Sequence, residues 1–177
     1  MAKIVTKFCI AGFGGRGKLI GRRLVDLAFN VVGVYDSNPS QLTDAPFPRF
    51  TNLSDLLKLD FKALVIATWP SSHAQMAEKA LEHGLDVLIE KPMGATLDQS
   101  LRIVQAQRRA GRLVVGGYVE RVNPAITKLT EIADLAEITR SREIRVGLAP
   151  PATDATGVLS DLASRGIPLV QSRTESR

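Results

Sequence analysis

Short apolar runs alternate with longer amphipathic stretches along the first two-thirds of the chain, and that rhythm predicts its elements. Phe8 to Ala11, Val31 to Tyr35, Ala63 to Ala67, Asp86 to Ile89 and Leu113 to Gly116 read as five strands. A helix is expected from about Arg16 to Ala28, where Leu19, Ile20, Leu24 and Leu27 recur at helical spacing. Ser72 with Gln75 three residues on reads as a capping box opening a second helix, which Gly84 closes. Thr96 with Gln99 reads as another, opening a helix to about Ala110 with Gly111 as its stop. "DSNPS" after Tyr35 is turn chemistry, residues 41–52 read as a proline-rich loop, and Ser54 to Leu59 as a short helix. Parallel strands need crossovers and helices supply them, so the pattern predicts an α/β fold with a doubly wound parallel sheet. After Tyr118 the rhythm changes: a helix is expected from Pro124 to about Ala136, a strand at Glu143 to Val146 and a short helix at Val158 to Ala163.

Composition narrows the class of protein. A chain of 177 residues, 45% hydrophobic and 23% charged, is that of an ordinary globular protein with a core of its own. Its single cysteine, Cys9, sits in an expected strand and cannot close an intramolecular disulfide, which points to a reducing compartment and a cytoplasmic location. The apolar run after the basic N-terminus is too short for an export signal or a membrane span. The net charge of +5 is dispersed and often sits beside acids, and aromatic residues make up only 5%, so no nucleic-acid surface is expected.

The chemistry begins in "AGFGGRGKL". Gly12, Gly14 and Gly17 give G-x-G-x-x-G, while Gly12, Gly17 and Lys18 give most of a triphosphate loop. A triphosphatase needs Ser or Thr after the lysine to hold magnesium, and Leu19 stands there. A dinucleotide site instead needs an acid closing the next strand, to bind the adenosine ribose, and Asp36 closes Val31–Tyr35. Strand, loop, helix, strand and acid are therefore in register for a dinucleotide-binding Rossmann unit. Gly12 permits the tight turn, Gly14 admits the pyrophosphate, and Gly17 lets helix and strand meet, with Phe13, Gly15 and Arg16 completing the loop. Asp36 repels a 2′-phosphate, which favours NAD over NADP, although Arg16 offers a compensating charge.

"AGFGGRG", "VIATWPSSHAQMAEKALEHG", "VLIEKPMG" and "GYVERVNPAI" together resemble the glucose–fructose oxidoreductase, inositol dehydrogenase and rhizopine-catabolism (Gfo/Idh/MocA) family of nicotinamide-dependent oxidoreductases. The resemblance runs over roughly residues 5 to 161. It implies that Lys91, in Glu90-Lys91-Pro92, lies beside the nicotinamide and the substrate hydroxyl as the proton-handling residue. Glu90 would orient it or touch the cofactor ribose, and Pro92 would fix the turn. Ala67, Thr68 and Trp69 would lie against the cofactor, with His73 at the start of the following helix, either as a packed or capping residue or as part of the site. His83, near a helix end, reads as a favourable dipole contact.

The family's second signature is an aspartate followed four residues later by a histidine, often with a further aspartate three residues on. Here Asp161 is present as a substrate-side residue, but Arg165 and Pro168 occupy the other two places. Arginine stays charged and cannot act as a general base. The resemblance thus implies a dinucleotide-binding domain over 1–120 and a truncated start of a substrate and oligomerisation domain over 121–177. The expected partners are a sugar or polyol substrate, with "GLAPPATDATGVLSDLA" similar to members acting on nucleotide-sugars, and a second copy or a complementing chain.

Overall fold

In the computed structural model, the described residues are 6–124, 127 and 128. The chain divides into two compact units between Gly117 and Tyr118. Unit one contains β1 (Lys7–Ala11), α1 (Gly15–Asp26), β2 (Asn30–Tyr35), β3 (Arg49–Phe50), α2 (Leu53–Leu56) and β4 (Ala63–Ile66). It continues with α3 (Pro70–Glu82), β5 (Asp86–Ile89), α4 (Leu97–Ala110) and β6 (Val114–Gly116). The strands form one six-stranded sheet in the order β3-β2-β1-β4-β5-β6, and each neighbouring pair is parallel. The predicted doubly wound sheet is therefore present, with one strand more than expected.

That extra strand is β3, two residues inside the stretch read as loop. Val34 aligns with Arg49 and Tyr35 with Phe50, so β2 supplies the pairing that so short a segment cannot signal by itself. Period-two alternation then separates two cores. Cys9, Ala11, Leu64, Ile66, Val87 and Ile89 face α2, α3 and α4. Ile10, Val34 and Val65 face the α1 side with Phe13 and Leu24. Arg102 on α4 grips Glu78 on α3 through Nε at 3.0 Å and an Nη nitrogen at 2.5 Å, a clasp on the outside of the larger core.

Helix α1 turns a different face inward from the one its leucines suggest. Gly17, Gly21 and Leu24 are buried, whereas Leu19 and Leu27 are exposed. Small residues let this helix approach the sheet: a Cβ on Gly21 would stand 3.3 Å from Ile10 and from Phe47. The helix ends at Asp26, short of the expected Ala28, which takes a left-handed φ of 60°.

Helix α3 also starts differently. Pro70 occupies its first turn and Trp69 is the N-cap, so the expected Ser72–Gln75 box is not what opens it. The Ser72 hydroxyl donates instead to the Trp69 carbonyl at 2.8 Å. At α4 the expected box is largely present: Thr96 Oγ1 accepts the Gln99 N–H at 3.2 Å, while Gln99 Oε1 accepts from Ala95. Gly111 stops α4 at φ 61°, and His83 caps the C-terminus of α3, its Nδ1–H donating to the Lys79 carbonyl. The second unit has a short 3-10 turn at Val119–Val122 among its described residues. Of the helix expected from Pro124 to about Ala136 only Pro124, Thr127 and Lys128 are described, and the strand expected at Glu143 to Val146, the helix at Val158 to Ala163, Asp161, Arg165 and Pro168 lie outside the described residues.

Candidate functional site

The order of the strands decides where a site can form. Chain progression reverses between β1 and β4, and in such sheets ligands bind at the carboxyl ends of the strands flanking that reversal. The glycine loop follows β1 and Ala67-Thr68-Trp69 follows β4, so both lie at this edge. The loop that follows β5 carries Glu90, Lys91 and Pro92 to the same edge, with the Glu90 N–H continuing the ladder to Ile66 C=O at 2.9 Å.

Backbone proximity explains the glycines. Gly12 has φ +88°, and a Cβ there would stand 2.6 Å from the Ala67 carbonyl, so the loop lies directly against the β4 turn. A Cβ on Gly17 would overlap the Gly12 carbonyl oxygen. Gly14 and Gly15 differ: a Cβ on Gly14 would meet only Gln41 Oε1, at 3.8 Å, and one on Gly15 nothing within 4 Å. Gly14 is also the N-cap of α1, without a side-chain cap and with no acid in the first turn. Open space over N–H groups that no side chain satisfies is the cradle a pyrophosphate fits.

Asp36 closes β2 as expected, and its carboxylate is already engaged. Oδ2 accepts the Phe13 N–H at 2.8 Å and Oδ1 accepts the Asn38 N–H at 2.9 Å. A carboxylate has about four acceptor positions, so two remain for the hydroxyls of a ribose. Neither Asn38 nor Gln41 was among the expected site residues, yet the 3-10 turn at Pro39–Leu42 carries Gln41 over the glycine loop. The signal was in "DSNPS", where an acid is followed two residues later by an asparagine that caps the turn, accepting from Ser40.

At the other end of the crevice, Arg16 Nε lies 3.4 Å from Glu90 Oε1, and Glu90 Oε2 accepts the Lys91 N–H at 3.3 Å. Glu90 therefore connects the glycine loop to the lysine turn, whose Lys91–Pro92 peptide is cis. The Thr68 and Ser72 hydroxyls meet at 2.8 Å, and Trp69 stands 59% exposed beside them. His73 is wholly buried, its ring nitrogens each 3.0 Å from a backbone carbonyl, those of Pro92 and Thr68. Among the described residues no group of three His, Cys, Asp or Glu side chains could hold a metal, and no helix is long and apolar enough to cross a membrane.

A cradle at the switch point, an acid closing β2 and a lysine after β5 match a known pattern. The model of the Gfo/Idh/MocA oxidoreductase family, with its NAD-binding Rossmann fold, matches residues 6–118, well over half of the chain. The chain belongs to that family. It is 32% identical over 127 residues to the 1-carboxy-3-chloro-3,4-dihydroxycyclohexa-1,5-diene dehydrogenase of Comamonas testosteroni, covering 68% of this chain and 32% of that protein. It is 30% identical over 139 residues to an inositol 2-dehydrogenase of Burkholderia multivorans, covering 73% of this chain and 41% of the relative. The chain thus spans well under half the length of either relative. Among solved structures, the WlbA dehydrogenase of Bordetella pertussis in complex with NADH and UDP-GlcNAcA superposes with a TM-score of 0.69 at 26% identity, over 74% of this chain and 43% of that one. A myo-inositol 2-dehydrogenase of Lactobacillus plantarum shares the fold, with a TM-score of 0.68 at 20% identity over 77% of this chain and 43% of that one. Residues 6–118 are accordingly an NAD-binding Rossmann fold of a dehydrogenase family.

Proposed function

We propose that this chain is a nicotinamide-dependent oxidoreductase, or the cofactor-binding part of one, that oxidises a hydroxyl of a sugar, polyol or nucleotide-sugar. The observation that carries the reading is the convergence of the glycine cradle, Asp36 and Lys91 on one edge of the sheet. The family relatives support the substrate class, being named for inositol and for a dihydroxylated ring carboxylate.

The roles follow from chemistry. A nicotinamide held by these residues would supply the hydride acceptor for the substrate carbon. Hydride leaves that carbon only as the hydroxyl proton leaves too, and Lys91 is the group that takes the proton or stabilises the oxygen. Gly12, Phe13, Gly14, Gly15, Arg16 and Gly17 hold the pyrophosphate, with the α1 N-terminus facing it. Asp36 binds the ribose diol and disfavours a 2′-phosphate, so NAD is preferred to NADP. Ala67, Thr68 and Trp69 line the cofactor side, Glu90 orients Lys91, Pro92 shapes its turn, and Asp161 is the substrate-side residue that the family resemblance implies. A second copy or a complementing chain completes the substrate side. The single buried cysteine fits a cytoplasmic setting.

A second reading, a non-catalytic NAD-binding module, is favoured by Arg165, which stands where the family's histidine belongs and cannot serve as a base. Turnover separates the two. The purified chain is incubated with NAD and a panel of inositols, sugars and nucleotide-sugars, and NADH formation is followed by absorbance. The enzyme reading requires turnover on some member that Lys91→Ala abolishes while NADH still binds. NADH binding without turnover on any member selects the module.

A further inference from the structure

Among the described residues, His73 is the one buried polar or charged side chain, with no exposed surface at all. It sits in the second turn of α3 and reaches in two directions. Nδ1 lies 3.0 Å from the Pro92 carbonyl and Nε2 lies 3.0 Å from the Thr68 carbonyl. Those carbonyls belong to the two loops that leave β5 and β4 at the carboxyl edge. Carbonyl oxygens only accept, so the ring can hydrogen-bond each of them only through an N–H; a neutral imidazole donates to one and a doubly protonated imidazole to both.

We propose that His73 is a positioning residue that ties the Lys91-bearing turn to the Thr68 turn, setting where Lys91 stands relative to the bound cofactor. This rests on the role given to Lys91 above. A wholly buried ring cannot touch cofactor or substrate, so His73 acts through the backbone on either side of it. The two links are complementary: Glu90 joins the lysine turn to the glycine loop, whereas His73 joins it to the β4 turn. Thr68 is itself pressed against Gly12, since a Cβ on that glycine would stand 2.7 Å from the Thr68 nitrogen. Glycine loop, β4 turn and lysine turn thereby form one connected frame, with the imidazole as its inner link. Reacting groups misplaced by about 1 Å lose rate heavily, which is the reason such a link matters.

The test measures where Lys91 stands, apart from whether the protein folds or binds. The full chain is treated with acetic anhydride with and without saturating NADH, and acetylation of Lys91 is quantified by peptide mass spectrometry. NADH affinity is measured in parallel by equilibrium dialysis, and folding by thermal melting. In the wild-type chain NADH slows acetylation of Lys91. His73→Leu fills the ring's space without a donor. It is expected still to bind NADH, through the glycine loop and Asp36 to which His73 makes no hydrogen bond, and yet to lose most of the NADH protection of Lys91. His73→Gln, which restores an N–H donor, is expected to recover part of it. Unchanged protection in His73→Leu with NADH bound would overturn the inference. Should that variant not fold, His73→Asn, too short to span both carbonyls, decides in the same way. If NADH binds the wild-type chain without protecting Lys91 at all, it is the role of Lys91 that fails, and the tie loses its function with it.

Discussion

The Asp36 carboxylate accepts the Phe13 N–H at 2.8 Å and so fastens the end of β2 to the glycine loop before any cofactor arrives. One side chain thus serves twice, holding the loop in its binding shape and offering its remaining lone pairs to a ribose diol. Hydrogen bonds to a charged group are worth about 1.5–3 kcal/mol, and every 1.4 kcal/mol is roughly tenfold in affinity. Asp36→Ala is therefore expected to weaken NADH binding by about tenfold or more and to narrow the gap between NADH and NADPH. Asp36→Asn, which keeps an oxygen for Phe13 but loses the charge, is expected to fall between. Calorimetric titration of the three proteins with both cofactors checks the order.

The two kinds of glycine in the loop make opposite predictions about stability. Gly17→Ala drives a methyl group into the Gly12 carbonyl, and Gly12→Ala adds a left-handed φ to a clash with the Ala67 carbonyl. Overpacking against backbone costs about 1–3 kcal/mol and a left-handed φ about 1–2 kcal/mol more, so both variants should melt well below wild type. Gly15 has nothing within 4 Å of its would-be Cβ, and Gly15→Ala should fold within about 0.5 kcal/mol of wild type. Thermal or urea unfolding of the three variants distinguishes them.

Cys9 gives a chemical reading of the core. Its thiol is buried in β1, and burial raises its pKa from 9.0 to about 12. The reactive form is the thiolate, so Ellman's reagent should modify Cys9 slowly in the native chain at pH 8 and fast in denaturant. The sign of the pH dependence follows. Below 9.0 folded and unfolded chains both keep the proton, and the full contribution to stability is present. Between 9.0 and about 12 only the unfolded chain ionises, so this thiol makes the fold less stable as pH rises. Cys9→Ala should lose less stability over that window than wild type.

Local signals carried most of the fold and much of the site. The glycine loop, Asp36 and the strands around them are each written in a few adjacent residues, and the Thr96–Gln99 box works because its partners are three residues apart. What the sequence could not express was decided across the sheet. Strand β3 exists because β2 offers its edge to Arg49 and Phe50. Ser72 does not cap α3 because Pro70 and Trp69 already begin the helix one turn earlier. The buried face of α1 is set by Gly17 and Gly21 meeting Gly12, Ile10 and Phe47, contacts that a count of leucines misses. For His73 the sequence offered a packed residue or a site residue, and the two carbonyls that define its surroundings lie five residues before it and nineteen after it.

Trp69 is the only tryptophan, it stands 59% exposed at the head of α3, and it follows the Thr68 turn at the cofactor edge. Titrating the purified chain with NADH while following Trp69 fluorescence tests the central claim most directly. Saturable quenching by NADH, weaker for NADPH and weakened again by Asp36→Ala, is the expected result. A folded chain whose Trp69 fluorescence and dialysis both show no binding of either cofactor would contradict the claim.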